Sequence, residues 1–598
     1  MWNRLEKAAV PLGLAAFFAL ALYQIDLPGL HYDEAREAGL PALQILLGQP
    51  VDAFRGAGVW LGGRLIPLMV ADYIGATNVV LALPFLAVGR ALGGDGLVTA
   101  LRCLPVTLSA LALYLLYRLG TMLYNRRVAL LAFLLLTFNP SFIFWSRQGV
   151  FVTSTIIPIS LGAALCLATW RQRGSRLHLW AGMFLLGLGL YTKFLFLWAV
   201  LAFALVFALL GIVCRRRAEV GKSGATVAAS GAEAGADGAE AGNYGPEKGG
   251  SGAGGRGRRP YHRVGGVEVL SGIVAFLLGV MPLMLYNWQT GGTLGTIGRN
   301  LATSYYGVDN LAFLQNLSTR LGQVWSVLSG NHLWYLGGVM ENPLWPYAAL
   351  VALGATGLVV LLWARDEWHY AALPWLIWCV IVVASCFTVS ALWPTHYALL
   401  VPWPPLALAV GVDLVWRRAP GNLPPRRSAR AWPPVPQRWG GYVAILVVLA
   451  VCLLDLRADI GYHRALATSG GLASHSPAIY DLAAALDSRD LTAPVAMDWG
   501  FAAQVQFLTE GRVRPIEIFG YEWREDEGFA RRLQSFLGNP DSVFIFHAPG
   551  ETIFPRREAF EGIVRQSGRV SATEMVIRQR DGRAMFTLVR VASKADGL

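Results

Sequence analysis

Apolar runs of about 20 residues, the length a helix needs to cross a bilayer core, recur along this chain. Eleven can be marked, at 8–25, 98–121, 128–145, 152–170, 179–192, 194–213, 264–288, 345–363, 370–391, 398–416 and 441–456. A further apolar segment, 65–92, is interrupted by Pro67, Asp72, Asn78, Pro84 and Arg90. Of the 598 residues, 55% are hydrophobic and only 15% charged, and the mean hydropathy is +0.46. A soluble protein of this length exposes far more charge. The expected class is a polytopic α-helical membrane protein.

The formal charge of +12 does not point to nucleic acid, because the basic residues sit in short stretches between apolar runs, where membrane proteins use them to set orientation. With the N-terminus inside and 65–92 lying along the interface, roughly 20 basic residues fall in inside loops and about eight outside. Arg126-Arg127, Arg171/Arg173/Arg176, Arg215-Arg216-Arg217, Arg365 and the arginines of 417–440 carry the bias. Counting 65–92 as a span would invert every later loop and erase it. This arrangement makes 26–97 a large first outside loop with juxtamembrane helices, and 289–344 a second. The first run follows Arg4 and Lys7 without a small-x-small cleavage site, so it reads as an uncleaved helix rather than a signal peptide.

The expected organisation is a transmembrane domain over 1–456 and an extracytoplasmic domain over 457–598. Residues 218–260 are rich in Gly, Ala, Ser and Glu and bury too little apolar surface to offset their conformational entropy. They read as a disordered cytoplasmic linker. Beyond 457, helical patterns at 476–488, 500–509, 525–536 and 555–567 alternate with short apolar runs at 494–497, 515–519 and 543–546. Two alternating runs joined by Asp581-Gly582 follow, a hairpin signal. That predicts a small α/β domain, and it holds no Gly-rich phosphate loop. The six cysteines lie in or beside apolar runs, with no metal-site or disulfide spacing.

The stretch His31-Tyr32-Asp33-Glu34-Ala35-Arg36-Glu37-Ala38-Gly39 follows the first run directly. Two adjacent carboxylates at a membrane surface have two uses: as a base for an acceptor hydroxyl, or as cation ligands. Residue types alone favour a plainer reading, the acidic first turn of an interfacial helix.

The stretch Tyr32-Asp33-Glu34-Ala35 after a first span resembles the first outside loop of GT-C glycosyltransferases. The closest likeness is to the branch of protein O-mannosyltransferases and aminoarabinose transferases of lipid A. Further stretches follow that branch in order: Leu61-Gly62-Gly63-Arg64-Leu65-Ile66-Pro67-Leu68, Ala100-Leu101-Arg102-Cys103-Leu104-Pro105, Tyr124-Asn125-Arg126-Arg127, Trp145-Ser146-Arg147-Gln148-Gly149 and Tyr191-Thr192-Lys193. The detailed resemblance covers about residues 10–215.

This resemblance implies an inverting transferase that takes a sugar from a polyprenyl-phosphate donor. The acceptor would be a hydroxyl or phosphate of a protein, lipid A, another glycolipid or a glycan polymer. In that reaction an acceptor oxygen attacks the sugar C1 and the lipid phosphate leaves with negative charge, so the site needs a base and cations. By position, Asp33 takes the place of the catalytic carboxylate and Glu34 that of its partner, for acceptor orientation or a divalent metal. Arg64, Arg147 and Lys193, at outside ends of apolar segments, are candidates for the phosphate; snorkelling to headgroups is the alternative for each. In Trp393-Pro394-Thr395-His396-Tyr397, His396 is a candidate for metal or phosphate and Tyr397 for phosphate or sugar. An interfacial aromatic belt is the plainer account.

His332, Trp334, Tyr335, Glu341 and Asn342 are weaker candidates for acceptor contact, and His475 and His547 have no evident partner. Two other functions remain in view. A transporter would carry charged or broken spans at matching positions of two halves, and no such repeat is visible. A scaffold presenting the C-terminal domain would leave Asp33 and Glu34 without purpose.

Overall fold

The computed structural model describes residues 2–93, 96–148, 153–212, 265–363, 368–418, 439–523 and 527–593. The linker expected at 218–260 and nearly all of the 417–440 loop lie outside them.

Each of the eleven apolar runs contains a helix over most of its described length, although 386–391 in the ninth run are not helical. Among the described residues, four helices are by themselves long and apolar enough to cross a membrane, and six if each of two bent pairs counts as one span. The first bent pair, Arg126–Thr137 and Pro140–Gln148, turns by 63°. The cause is local: Pro140 cannot continue the preceding ladder but suits a first turn, and Asn139 Oδ1 accepts from the Phe142 N–H at 3.1 Å. The second pair, Pro394–Leu400 and Trp403–Trp416, bends by 44° around Pro402. Apolar side chains such as Leu277, Leu278, Met281 and Met284 stay exposed on Gly266–Thr290, as a lipid-facing helix requires.

Small residues let two of these helices touch backbone to backbone. A Cβ on Gly187 would lie 2.1 Å from the Phe276 carbonyl oxygen, and one on Gly279 would lie 2.3 Å from that of Phe184. Arg176–Thr192 and Gly266–Thr290 therefore pack at glycine distance.

The first loop differs in part from expectation. Residues 65–92 do not form a spanning helix, in line with the orientation argument. Leu61 to Leu68, in the part of the loop where the resemblance implies an apolar juxtamembrane segment, is mostly a β-hairpin, Gly58–Leu61 against Arg64–Pro67. Gly62 and Gly63, at φ +58° and +75°, supply the left-handed two-residue turn that such a hairpin needs. A second small antiparallel pair, Met69–Ala71 with Ile74–Gly75, follows, then a 15-residue helix, Thr77–Ala91.

The C-terminal sheet has five strands in the order Ile516–Glu517, Val495–Ala496, Val543–His547, Ala584–Ser593 and Arg569–Arg578. The first three are parallel and the last two add antiparallel. Helices Ala478–Asp487, Ala502–Leu508, Glu527–Leu537 and Arg557–Gln566 accompany them. The change of character at 457 falls inside one helix, Trp439–Ser469.

This region also shares a core with the first loop. Leu30, Tyr32, Ala35, Leu43 and Leu101 bury against a cluster that includes Ile479, Leu482, Phe501, Phe507 and Phe586. The backbone at Gly29 passes so close to Ser476 that a Cβ would lie 2.1 Å from its carbonyl oxygen. The Asp33 segment is thus held between span ends and the C-terminal sheet.

Candidate active site

The Asp33 segment begins with a helical cap. His31 Nδ1 accepts from the Asp33 N–H at 3.2 Å, and the His31 N–H donates to Glu34 Oε1 at 3.2 Å. The short helix Tyr32–Glu34 then widens into a π-turn, Ala35–Gly39, a form common at functional sites.

Asp33 and Glu34 meet different surroundings. Glu34 is fully buried, and Arg102 of helix Leu97–Leu123 donates to both its oxygens at 2.8 Å. Arg102 also donates to the carbonyls of Ile25 and Pro28 at 2.8 and 2.9 Å. The pair braces the loop against the helix. This corrects the expectation that Glu34 binds a metal or orients an acceptor, because both of its oxygens are committed to a bidentate ion pair sealed from solvent. Asp33 keeps partial exposure, with His31 Nδ1 at 3.8 Å.

Glu37, which lies in the quoted stretch but was not singled out there, joins Asp33. Its Oε2 is shielded from solvent and has no hydrogen-bond partner among the described residues. Burial, and next the negative charge of Asp33, push its carboxyl up to about 8, against the pull of Lys193 and Arg36. The signal was available: four residues apart at a helix start, Asp33 and Glu37 share a face.

Lys193 is almost wholly buried at the break after helix Arg176–Thr192. The loop stitches that break in place. Phe194 N–H donates to the Tyr73 carbonyl at 2.9 Å. Tyr191 Oη donates to the Leu68 carbonyl at 2.9 Å and accepts from the Ala76 N–H at 3.0 Å. Thr77 and Thr192 hydroxyls meet at 2.8 Å. The Lys193 charge lies within reach of Glu37, Asp33 and His396. Lys193 thus lies within electrostatic range of both Asp33 and His396, and Glu37, Arg36 and Tyr306 lie within range of Asp33 or its neighbours.

The other candidates lie elsewhere. Arg64 sits on the exposed hairpin and donates to the Ile45 carbonyl at 2.6 Å. Arg147 is fully buried; it meets His463 Nδ1 at 3.1 Å and donates to the carbonyls of Gln24 and Leu27. It holds the turn after the first helix, so the three cations do not share one pocket. Tyr397 is buried and donates to Gln323 Oε1 at 3.1 Å. His396 Nδ1 accepts from the Trp393 N–H at 3.0 Å, a local cap. Among the described residues no group of three or more His, Cys, Asp or Glu forms a metal-binding cluster. Of the two metal candidates, Glu34 is bound by Arg102 and His396 uses Nδ1 within its own turn.

His332 meets Ser141 Oγ at 2.9 Å, and Asn342 donates to Asp455 at 2.7 Å, so both are packed inside. His475, without an evident partner in sequence, is sandwiched between Tyr335 and His31, at ring separations of 4.1 and 4.4 Å. His547 pairs with Asp498 at 3.0 Å in the C-terminal core.

Residues 80–231 match the family model for Dolichyl-phosphate-mannose-protein mannosyltransferase. No curated protein sequence matches the chain. Among solved structures, ArnT from Cupriavidus metallidurans bound to undecaprenyl phosphate shares 12% identity with this chain, with 97% of each chain covered and a TM-score of 0.53. Its apo state gives the same identity and coverage and a TM-score of 0.50. The apo Archaeoglobus fulgidus oligosaccharyltransferase shares 13% identity over 95% of this chain and 69% of its own, with a TM-score of 0.49. The resemblance read from the first loop and the ordered stretches after it is borne out: the chain has the GT-C glycosyltransferase fold over nearly its whole length, with a mannosyltransferase-type family signature in its first half.

Proposed function

We propose that this multi-pass membrane protein is an inverting glycosyltransferase that moves a sugar from a polyprenyl-phosphate carrier to an acceptor hydroxyl or phosphate on the extracytoplasmic face. The observation that carries this reading is that Asp33, Glu37 and the buried Lys193 lie within electrostatic reach of one another, at a helix break stitched to the first loop. The fold likeness to a protein solved with undecaprenyl phosphate supports the class of donor.

The chemistry assigns a task to each group. Asp33 accepts the proton of the acceptor as its oxygen attacks C1 of the sugar. The C1–O bond breaks, its electron pair leaves with the lipid phosphate, and a single displacement inverts the sugar carbon. Lys193 and Arg36 offset the developing phosphate charge in a site where burial strengthens every charge interaction. Glu37, whose carboxyl burial and the Asp33 charge push up to about 8, spares Asp33 a second negative neighbour near neutral pH. The sides of the membrane follow the basic-residue bias, which puts 26–97, 289–344 and the C-terminal domain outside.

The test is lipid analysis. A deletion strain is expected to accumulate a polyprenyl-phosphate sugar visible by mass spectrometry, and the wild-type gene, but not the Asp33→Asn form, to clear it. A deletion strain with an unchanged lipid-linked sugar pool would refute the assignment.

A further inference from the structure

Beside the carboxylates, five aromatic rings from three separate segments converge on one surface. Tyr305 and Tyr306 come from the second loop, Trp393 from the turn before His396, and Tyr521 and Trp523 from the C-terminal domain. Their relative exposures all lie between 46% and 53%. Tyr305 and Tyr306 meet edge to face at 5.1 Å, Tyr306 and Trp393 likewise at 5.1 Å, and Tyr305 lies 6.3 Å from Trp523. Tyr305 Oη donates to the Tyr521 carbonyl at 2.9 Å, and Tyr521 Oη donates to Glu517 Oε2 at 2.7 Å. The surface is continuous with the reacting groups: Tyr306 lies within reach of the Asp33 charge, and the Tyr521 hydroxyl lies beside that of Tyr32.

Half-exposed rings held by their neighbours present flat apolar faces with polar rims. A pyranose matches them, since its C–H faces stack on aromatic rings while its hydroxyls bond carboxylates and phenols at the edge. An interfacial belt would string such rings along span ends. Here only Trp393 sits at a span end, and the rings bridge a loop to a folded sheet domain.

We infer that Tyr305, Tyr306, Trp393, Tyr521 and Trp523, with Glu517 at the edge, form an acceptor platform that stacks a saccharide next to Asp33. This rests on the transferase reading and narrows it: the acceptor is itself carbohydrate-bearing, presented sugar face first. A glycan or the sugar of a glycolipid satisfies the same chemistry.

Saturation-transfer NMR on the full chain in nanodiscs reads this without turnover, using methyl α-mannoside, methyl β-glucoside and methyl β-N-acetylglucosaminide as probes. At least one glycoside is expected to receive saturation at its ring protons. Tyr306→Ala and Trp523→Ala should each lower that signal by about tenfold, a loss typical of removing a stacking anchor. Trp523→Phe, which keeps an aromatic face, should retain most of it, as should Asp33→Asn. No saturation of any probe by the wild type, or equal signals in the alanine variants, overturns the platform. So does a loss of quenching by brominated phospholipid in Trp523→Phe nanodiscs, which would make the rings a membrane anchor. If glycoside binding behaves as expected while the deletion strain shows no lipid-linked sugar, the platform stands and the transferase reading falls.

Discussion

Asp33 and Glu34 are adjacent in the chain, yet Arg102 grips both oxygens of Glu34 at 2.8 Å while Asp33 stays partly open, with His31 at 3.8 Å. One carboxylate anchors the loop and the other keeps partial exposure.

The anchor should behave as a buried ion pair. Breaking it from one side leaves an uncompensated buried charge, at a cost of about 3–5 kcal/mol. Glu34→Leu and Arg102→Leu are each expected to lower the melting temperature in detergent sharply, and the double replacement to recover much of the loss. Equal melting of the single variants and the wild type would show that the pair bears no structural load.

Asp33→Asn keeps the size of the side chain and removes its ability to take a proton. Transfer should fall about 10²–10⁴-fold, the usual effect of removing a general base, with melting temperature and donor binding unchanged. Near-normal turnover in this variant would return the Asp33 segment to a polar helix start and nothing more.

Glu37 gives the protein a pH signature. Its folded-state value, about 8, lies above the ordinary 4.5, so the fold prefers the protonated carboxyl. The stability this contributes is complete below pH 4.5 and is lost as pH rises through 8. Glu37→Gln mimics the neutral form and should flatten the decline of melting temperature between pH 4.5 and 8, the interval between the unfolded and folded values. Parallel melting curves for the two proteins across that range would contradict the assignment.

The glycine contact between helices Arg176–Thr192 and Gly266–Thr290 leaves no room for a methyl group, which would sit 2.1 Å from a carbonyl at Gly187. Gly187→Ala should force the helices apart at about 1–3 kcal/mol, as overpacking does. Because Lys193 ends the first of these helices, catalytic rate should drop as well. A stable Gly187→Ala protein with full activity would show that the two backbones can separate freely.

What could be read in advance depended on how far apart the partners lie. The eleven helical runs and the Asp581-Gly582 hairpin are local patterns, and the structure contains them. The Gly62-Gly63 hairpin was missed because its strands are short and set in an apolar context that also suits a helix. Glu34 looked equivalent to Asp33 because its partner, Arg102, is 68 positions away and belongs to a span. The spacing of Glu37 from Asp33 was legible, but its burial, which raises its carboxyl, came only with the fold. Arg147 shows the converse, a span-end arginine suited to phosphate that the fold spends on backbone carbonyls.

The core shared by the first loop and the C-terminal region has a consequence for how the protein comes into being. Leu30, Tyr32, Leu43 and Leu101 are made early, whereas their partners Phe501, Phe507 and Phe586 are made near the end. Until then the loop carries bare apolar surface, and the carboxylates beside it lack a fixed setting. On the proposed reading, completion of the chain is therefore also the step that should give the site its setting. Half-made copies stay inert, exposed to quality-control proteases, and a late truncation should silence an active centre encoded hundreds of codons upstream.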